Sequence, residues 1–87
     1  MASYEVRFKK PVAKDLRRIP NQDVQRILGR IETLSENPRP GDFTRLSGLD
    51  KYRVRVSSYR ILYQIEDNCL VIQIVRIAHR STVYRNR

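Results

Sequence analysis

Two hydrophobic periods divide this chain. Between residues 10 and 37 apolar side chains recur every three or four positions, and between residues 51 and 78 they alternate with polar ones. The first spacing belongs to a helix with one buried face and the second to strands. Ahead of both, Tyr4, Val6 and Phe8 alternate with Ser3, Glu5 and Arg7, which predicts a first strand. Pro11 suits the first turn of a helix that carries Val12, Leu16 and Ile19 before Pro20 interrupts it. A longer helix is expected from Asn21, read as its N-cap, to the Asn37-Pro38 pair. Val24, Ile27, Leu28, Ile31 and Leu34 form its apolar stripe, while Arg26, Arg30, Glu32 and Glu36 lie off it. Gly29 weakens that helix without ending it, and Arg39-Pro40-Gly41-Asp42 reads as a loop.

Residues 51–56, 59–65 and 70–78 are then strand candidates joined by short turns, an antiparallel meander. A two-residue turn at Ser57-Ser58 would place Val56 opposite Tyr59, Arg55 opposite Arg60 and Val54 opposite Ile61. Across the next turn, pairing Ile65 with Leu70 would set Tyr63 against Ile72 and Ile61 against Ile74. The expected architecture is α+β with the order β-α-α-β-β-β. One antiparallel sheet has both helices packed on one face, because only they carry a matching apolar stripe, and its other face is open. Residues 1–87 read as a single domain, with no repeat, linker or low-complexity tract.

Charge sharpens this picture. The chain has 18 Lys+Arg against 9 Asp+Glu, a net charge of +9. Such an excess points to nucleic acid, an acidic protein or a membrane surface as partner. No apolar run of about 18 residues and no signal-type h-region is present, so a cytoplasmic protein without a membrane partner is expected. Cys69 is the only cysteine, which excludes an internal disulfide or a thiolate cluster within one chain. Neither a carboxylate cluster nor paired histidines at ligand spacing is visible, so no metal and no cofactor is expected.

The expected open face carries Arg53, Arg55, Arg60, Leu62, Gln64, Gln73, Val75 and Ile77, with His79 at its end if the last strand stays regular. Like charges directly opposite on a sheet are destabilising, so a stability argument alone would not place Arg55 against Arg60. An anion belongs between them. Phosphates would supply most of the affinity. Beyond the strand, Arg80 and Tyr84 stand four residues apart. Metal-free RNA cleavage needs a base for the 2′-hydroxyl, cations for the charge developing on phosphorus and an acid for the leaving oxygen. Among clustered cations a tyrosine gains phenolate character and a histidine tends to stay neutral, so either His79 or Tyr84 can serve as base. Tyr52, Tyr59 and Tyr63 read as packing residues rather than stacking platforms. Arg76, on the core side by parity, would reach past Tyr59 to solvent or to a carboxylate.

The residues Leu46-Ser47-Gly48, Tyr52-Arg53-Val54-Arg55-Val56, Tyr59-Arg60-Ile61-Leu62-Tyr63 and His79-Arg80 with Tyr84 resemble the RelE branch of the RelE/ParE toxin superfamily over essentially the whole chain. The resemblance implies a RelE-like, microbial-ribonuclease-like fold. It also implies the toxin of a type II toxin–antitoxin pair, cutting mRNA in the ribosomal A site beside 16S rRNA, without metal. By the same resemblance Arg53 and Arg55, with Lys51, would hold phosphates, and Arg60 would stabilise the transition state. Arg80 would stabilise that charge or help protonate the leaving oxygen, and Tyr84 would be the general base, with His79 as the other candidate. Arginine at positions 53 and 55, where relatives often have lysine, keeps the charge but removes proton transfer there. The resemblance also implies an antitoxin that wraps the toxin; apart from it, Lys9, Lys10, Arg17 and Arg18 read as a solvated face or as a docking surface for the ribosome. The alternatives are a ParE-like toxin that inhibits DNA gyrase by protein contact and a catalytically inactive binding relative.

Overall fold

The computed structural model describes residues 3–46 and 51–81. Strand β1 (Glu5–Phe8) leads into helix α1 (Lys10–Arg17) and helix α2 (Asn21–Glu36). A short β2 (Thr44–Arg45) precedes β3 (Lys51–Val56), β4 (Tyr59–Glu66), a 3-10 turn (Asp67–Cys69) and β5 (Val71–His79). The two-helix α+β architecture expected from the sequence is present. The sheet, however, has five strands in the order β1-β5-β4-β3-β2 and is mixed rather than wholly antiparallel. β1 lies parallel to β5, with Glu5 opposite Val71 and Phe8 opposite Ile74. Two residues of β2 add an edge beside β3 that their sequence does not signal, pairing Thr44 with Arg53 and Arg45 with Tyr52.

The core lies between the helices and one sheet face. Val12 of α1 and Ile27, Ile31 and Leu34 of α2 pack with Val54, Ile61, Tyr63, Ile72, Ile74 and Ile77. These are the helix stripes and alternating strand positions read from the sequence, apart from Ile77. Helix α2 begins without the expected asparagine cap: Pro20 holds the cap position, and its carbonyl accepts from the N–H groups of Asp23 and Val24. Tyr63 is fully buried and donates its hydroxyl to the Pro38 carbonyl at 2.8 Å, tying the loop after α2 to the sheet. Burial pushes that phenol up to about 12. Tyr52, also buried, stacks obliquely between Phe43 and Tyr63 at 5.7 Å on each side. Both tyrosines therefore pack, as expected.

The β3–β4 register is the one read from the sequence: Val56 faces Tyr59, Arg55 faces Arg60 and Val54 faces Ile61. Ser57 opens the two-residue turn at φ 54°, the positive φ that primed hairpin turns use at their first central position. The β4–β5 register differs. Ile65 pairs with Ile72, not Leu70, because the 3-10 turn consumes residues 67–69 and Leu70 closes it in the left-handed region. Further along, Tyr63 faces Ile74 but Leu62 faces Arg76, so Val75 is an extra residue in β5. This bulge inverts the alternation of everything after it. Ile77 moves to the core side opposite Ile61, and Arg76 and Ala78 move to the open face opposite Leu62 and Arg60.

Candidate functional site: an arginine face on the hairpin

The open face is built by the β3–β4 hairpin and the end of β5. One cross-strand row reads Thr44–Arg53–Leu62–Arg76 and the next Arg55–Arg60–Ala78. Leu62 is only 8% exposed although it points away from the helices. It sits between Arg53 and Arg76 in the ladder, and their aliphatic stems are long enough to cover it. Arg80 follows β5, and its backbone N–H donates to the Ser58 carbonyl at 2.6 Å, which closes the chain over the hairpin turn.

Arg55, Arg60 and Arg80 converge. With Ser57, Tyr59 and Ser81 they line a cavity of about 320 Å³. Arg53 and Arg55 line a second one of about 280 Å³ with Asp42, Thr44 and Val54. The Asp42 carboxylate there is held by Arg30 of α2, which keeps its pKa below the usual carboxylate range. Among the described residues none of Arg53, Arg55, Arg60 or Arg80 has a carboxylate partner. The Nε of Arg60 is buried with no hydrogen-bond acceptor among them. An unanswered buried donor costs on the order of 1–3 kcal/mol. An oxyanion entering the cavity would answer it, and guanidinium groups present paired N–H donors to such oxygens.

The remaining expected site residues are placed differently. His79 faces Tyr59 in the ladder, on the helix side of the sheet, because the Val75 bulge makes the strand irregular. Its ring meets that of Tyr59 edge-on at 5.5 Å, and its Nδ1 accepts from the Ser81 N–H at 3.2 Å. His79 lines a separate cavity of about 300 Å³ with Asp15, Arg18, Ile19 and Tyr59 among others. Lys51 lies opposite Gln64, four residues along β3 from Arg55. Lys9, Lys10, Arg17 and Arg18 are all exposed on or beside α1. Tyr84, together with Ser47 and Gly48, lies outside the described residues.

Asp15 is the residue that sequence reasoning missed. It is buried in α1, and its Oδ2 accepts from the Ile77 backbone N–H at 3.0 Å and from Arg76 Nε at 2.9 Å. Its Oδ1 accepts from the same guanidinium at 3.0 Å. The carboxylate anticipated for Arg76 is therefore real, but Arg76 reaches it from the open side, the reverse of the expected parity. The signal was available: Asp15 stands three residues after Val12, inside the apolar stripe of its helix. Among the described residues no group of three or more His, Cys, Asp or Glu is placed to hold a metal, and no helix is long and apolar enough to cross a membrane.

Fold and site together define a small basic α+β domain whose open sheet face gathers Arg55, Arg60 and Arg80 around one cavity. The model of the ParE toxin of type II toxin–antitoxin systems matches residues 6–84, and the chain belongs to that family, within the RelE/ParE superfamily. Its relatives place it on the RelE-like side. Toxin RelG of Mycobacterium tuberculosis is 31% identical over 84 residues, covering 94% of this chain and 97% of RelG. A chain of the archaeal RelE–RelB complex from Pyrococcus horikoshii OT3 superposes with a TM-score of 0.82 at 30% identity, covering 93% of this chain and 99% of that one. A chain of the RelBE2 toxin–antitoxin complex from Mycobacterium tuberculosis gives 0.80 at 30% identity, over 94% and 97%.

Proposed function

We propose that this toxin is a ribosome-dependent, metal-independent endoribonuclease that cuts mRNA in the A site, and that a cognate antitoxin of RelB type restrains it. One observation carries the reading: Arg55, Arg60 and Arg80 surround one cavity without a carboxylate among the described residues to neutralise them. In the reaction a base removes the 2′-hydroxyl proton and O2′ attacks the adjacent phosphorus. The P–O5′ bond breaks, leaving a 2′,3′-cyclic phosphate, and the departing O5′ takes up a proton. Arg60 and Arg55 stabilise the negative charge that grows on the phosphoryl oxygens, where fixed donors are most effective. Arg80 acts on the same charge or on the departing oxygen, and Arg53 and Lys51 hold flanking phosphates.

Tyr84 is the base in this reading, because His79 turns to the helix side of β5. Lys9, Lys10, Arg17 and Arg18 dock ribosomal RNA. The match to the ParE model favours a second reading, inhibition of DNA gyrase by protein contact. Primer extension on an mRNA in a purified translation system separates the two, run with and without ribosomes on wild type and Arg80→Ala. Cuts within A-site codons that need ribosomes and vanish in the variant support the nuclease. Intact mRNA together with loss of gyrase supercoiling supports the second reading.

A further inference from the structure

β5 outruns its neighbour. β1 ends at Phe8, opposite Ile74, and its last link to β5 is the Lys9 N–H donating to the Ile74 carbonyl at 3.0 Å. Beyond that point the outer edge of β5 has no strand beside it, so its backbone donors need other partners. The bulge at Val75 begins at this place. Asp15 supplies such a partner: its Oδ2 accepts from both the Ile77 N–H and Arg76 Nε, and its Oδ1 accepts from a second nitrogen of the same guanidinium. Arg76 and Ile77 are the first two residues after the bulge, and the bulge decides which later side chains share a face with Arg55 and Arg60. A regular ladder would continue the alternation of Ile72 and Ile74 and bring His79 to the open face, with Arg80 turned to the helices.

We infer that Asp15 is a positioning residue for the arginine cluster. By pinning the Val75 bulge from α1 it assigns Arg80, and not His79, to the face of Arg55 and Arg60. The inference rests on the nuclease reading for its catalytic consequence, but the positional claim can be measured without it. No contact between Asp15 and substrate is involved; the carboxylate acts through the strand.

The test uses Asp15→Ala, Asp15→Asn, Arg80→Ala and the Asp15→Ala/Arg80→Ala double variant of the full chain. Proton and ¹⁵N NMR reads the register through cross-strand Arg60–Ala78 and Tyr59–His79 contacts, and inorganic phosphate serves as the probe of the guanidinium Nε signals. In the wild type the Arg55, Arg60 and Arg80 signals move together on titration. In Asp15→Ala the Ile77 amide exchanges at least about tenfold faster, and Arg80 drops out of the response while Arg55 and Arg60 remain. Asp15→Asn keeps an acceptor for Ile77 and recovers part of the coupling, so it carries the test if the alanine variant does not fold.

On ribosomes, Asp15→Ala lowers kcat per folded molecule on the order of 10²-fold, the scale of an ångström-size misplacement. It costs nothing further in the Arg80→Ala background, because both changes remove the same contribution. A purely structural Asp15 would lower activity equally in both backgrounds. An unchanged register and an unchanged Arg80 response in folded Asp15→Ala or Asp15→Asn overturn the inference. Absence of cleavage by the wild type overturns the nuclease reading instead and leaves the NMR result to decide the positional claim.

Discussion

Arg39 and Arg55 belong to the same sheet-facing surface chemistry and meet opposite circumstances. Near the 3-10 turn, Arg39 donates through both terminal nitrogens to Asp67, at 2.9 and 3.2 Å, and lies 5.6 Å from the centre of the Tyr52 ring. Tyr4 donates to the same carboxylate at 2.9 Å, and the two donors hold Asp67 below the ordinary aspartate range. Every charge there has a partner. At the hairpin, Arg55 faces Arg60, Arg80 closes in from β5, and no carboxylate among the described residues lines the cavity the three share. The same residue type thus fastens one end of the molecule and loads the other. Charge that stabilises this fold is found paired, and on the proposed reading the arginines around the hairpin cavity are left for a phosphate.

The largest way to break this comparison is at the loaded end. Arg60→Ala with Arg80→Ala should reduce mRNA cleavage by roughly 10³-fold or more, since removing one oxyanion donor alone typically costs on the order of 10²–10³. The thermal midpoint should hold or rise, because like charges are removed. Cleavage that survives the pair would dismiss this cavity as the site.

Tyr63→Phe tests the fastened side and should cost about 1–2 kcal/mol at neutral pH, through the lost bond to Pro38 and an orphaned carbonyl. Its pH signature is distinct. The folded phenol is pushed up to about 12 from 10.0, so its stabilisation is complete below pH 10 and is lost as pH climbs towards 12. Denaturant titrations across that range should show a shallower alkaline decline in the phenylalanine variant.

Smaller effects sharpen the contrast. Arg55→Thr should stabilise the fold by about 0.5 kcal/mol while weakening cleavage, because a like-charge pair across the ladder disappears. Added salt should narrow that gain by screening the wild type. The smallest effect expected is at Asp67. Its folded pKa is depressed, so its contribution is present above the unfolded value of 3.8 and fades as pH falls through the folded one. Acid unfolding of Asp67→Asn should begin from a slightly lower stability and show a gentler slope; an identical acid limb would remove the latch.

Local pattern determined a good deal of this molecule. The periods of 3.6 and 2 placed both helices, the helix-facing core and the β3–β4 register, because each depends on neighbours a few residues apart and on a two-residue turn. The Arg55–Arg60 pairing was legible for the same reason. What the chain did not announce is what depends on distant partners. The parallel β1–β5 contact joins residues some 66 positions apart, and the Val75 bulge exists where a strand edge runs past its neighbour and an aspartate from α1 fills the gap. Sequence alternation counts residues along one strand and has no means of counting an extra one whose cause lies on another element. That single residue sends His79 to one side of the sheet and Arg80 to the other. Sequence alone determined which arginines were available; tertiary structure decided which of them share a face.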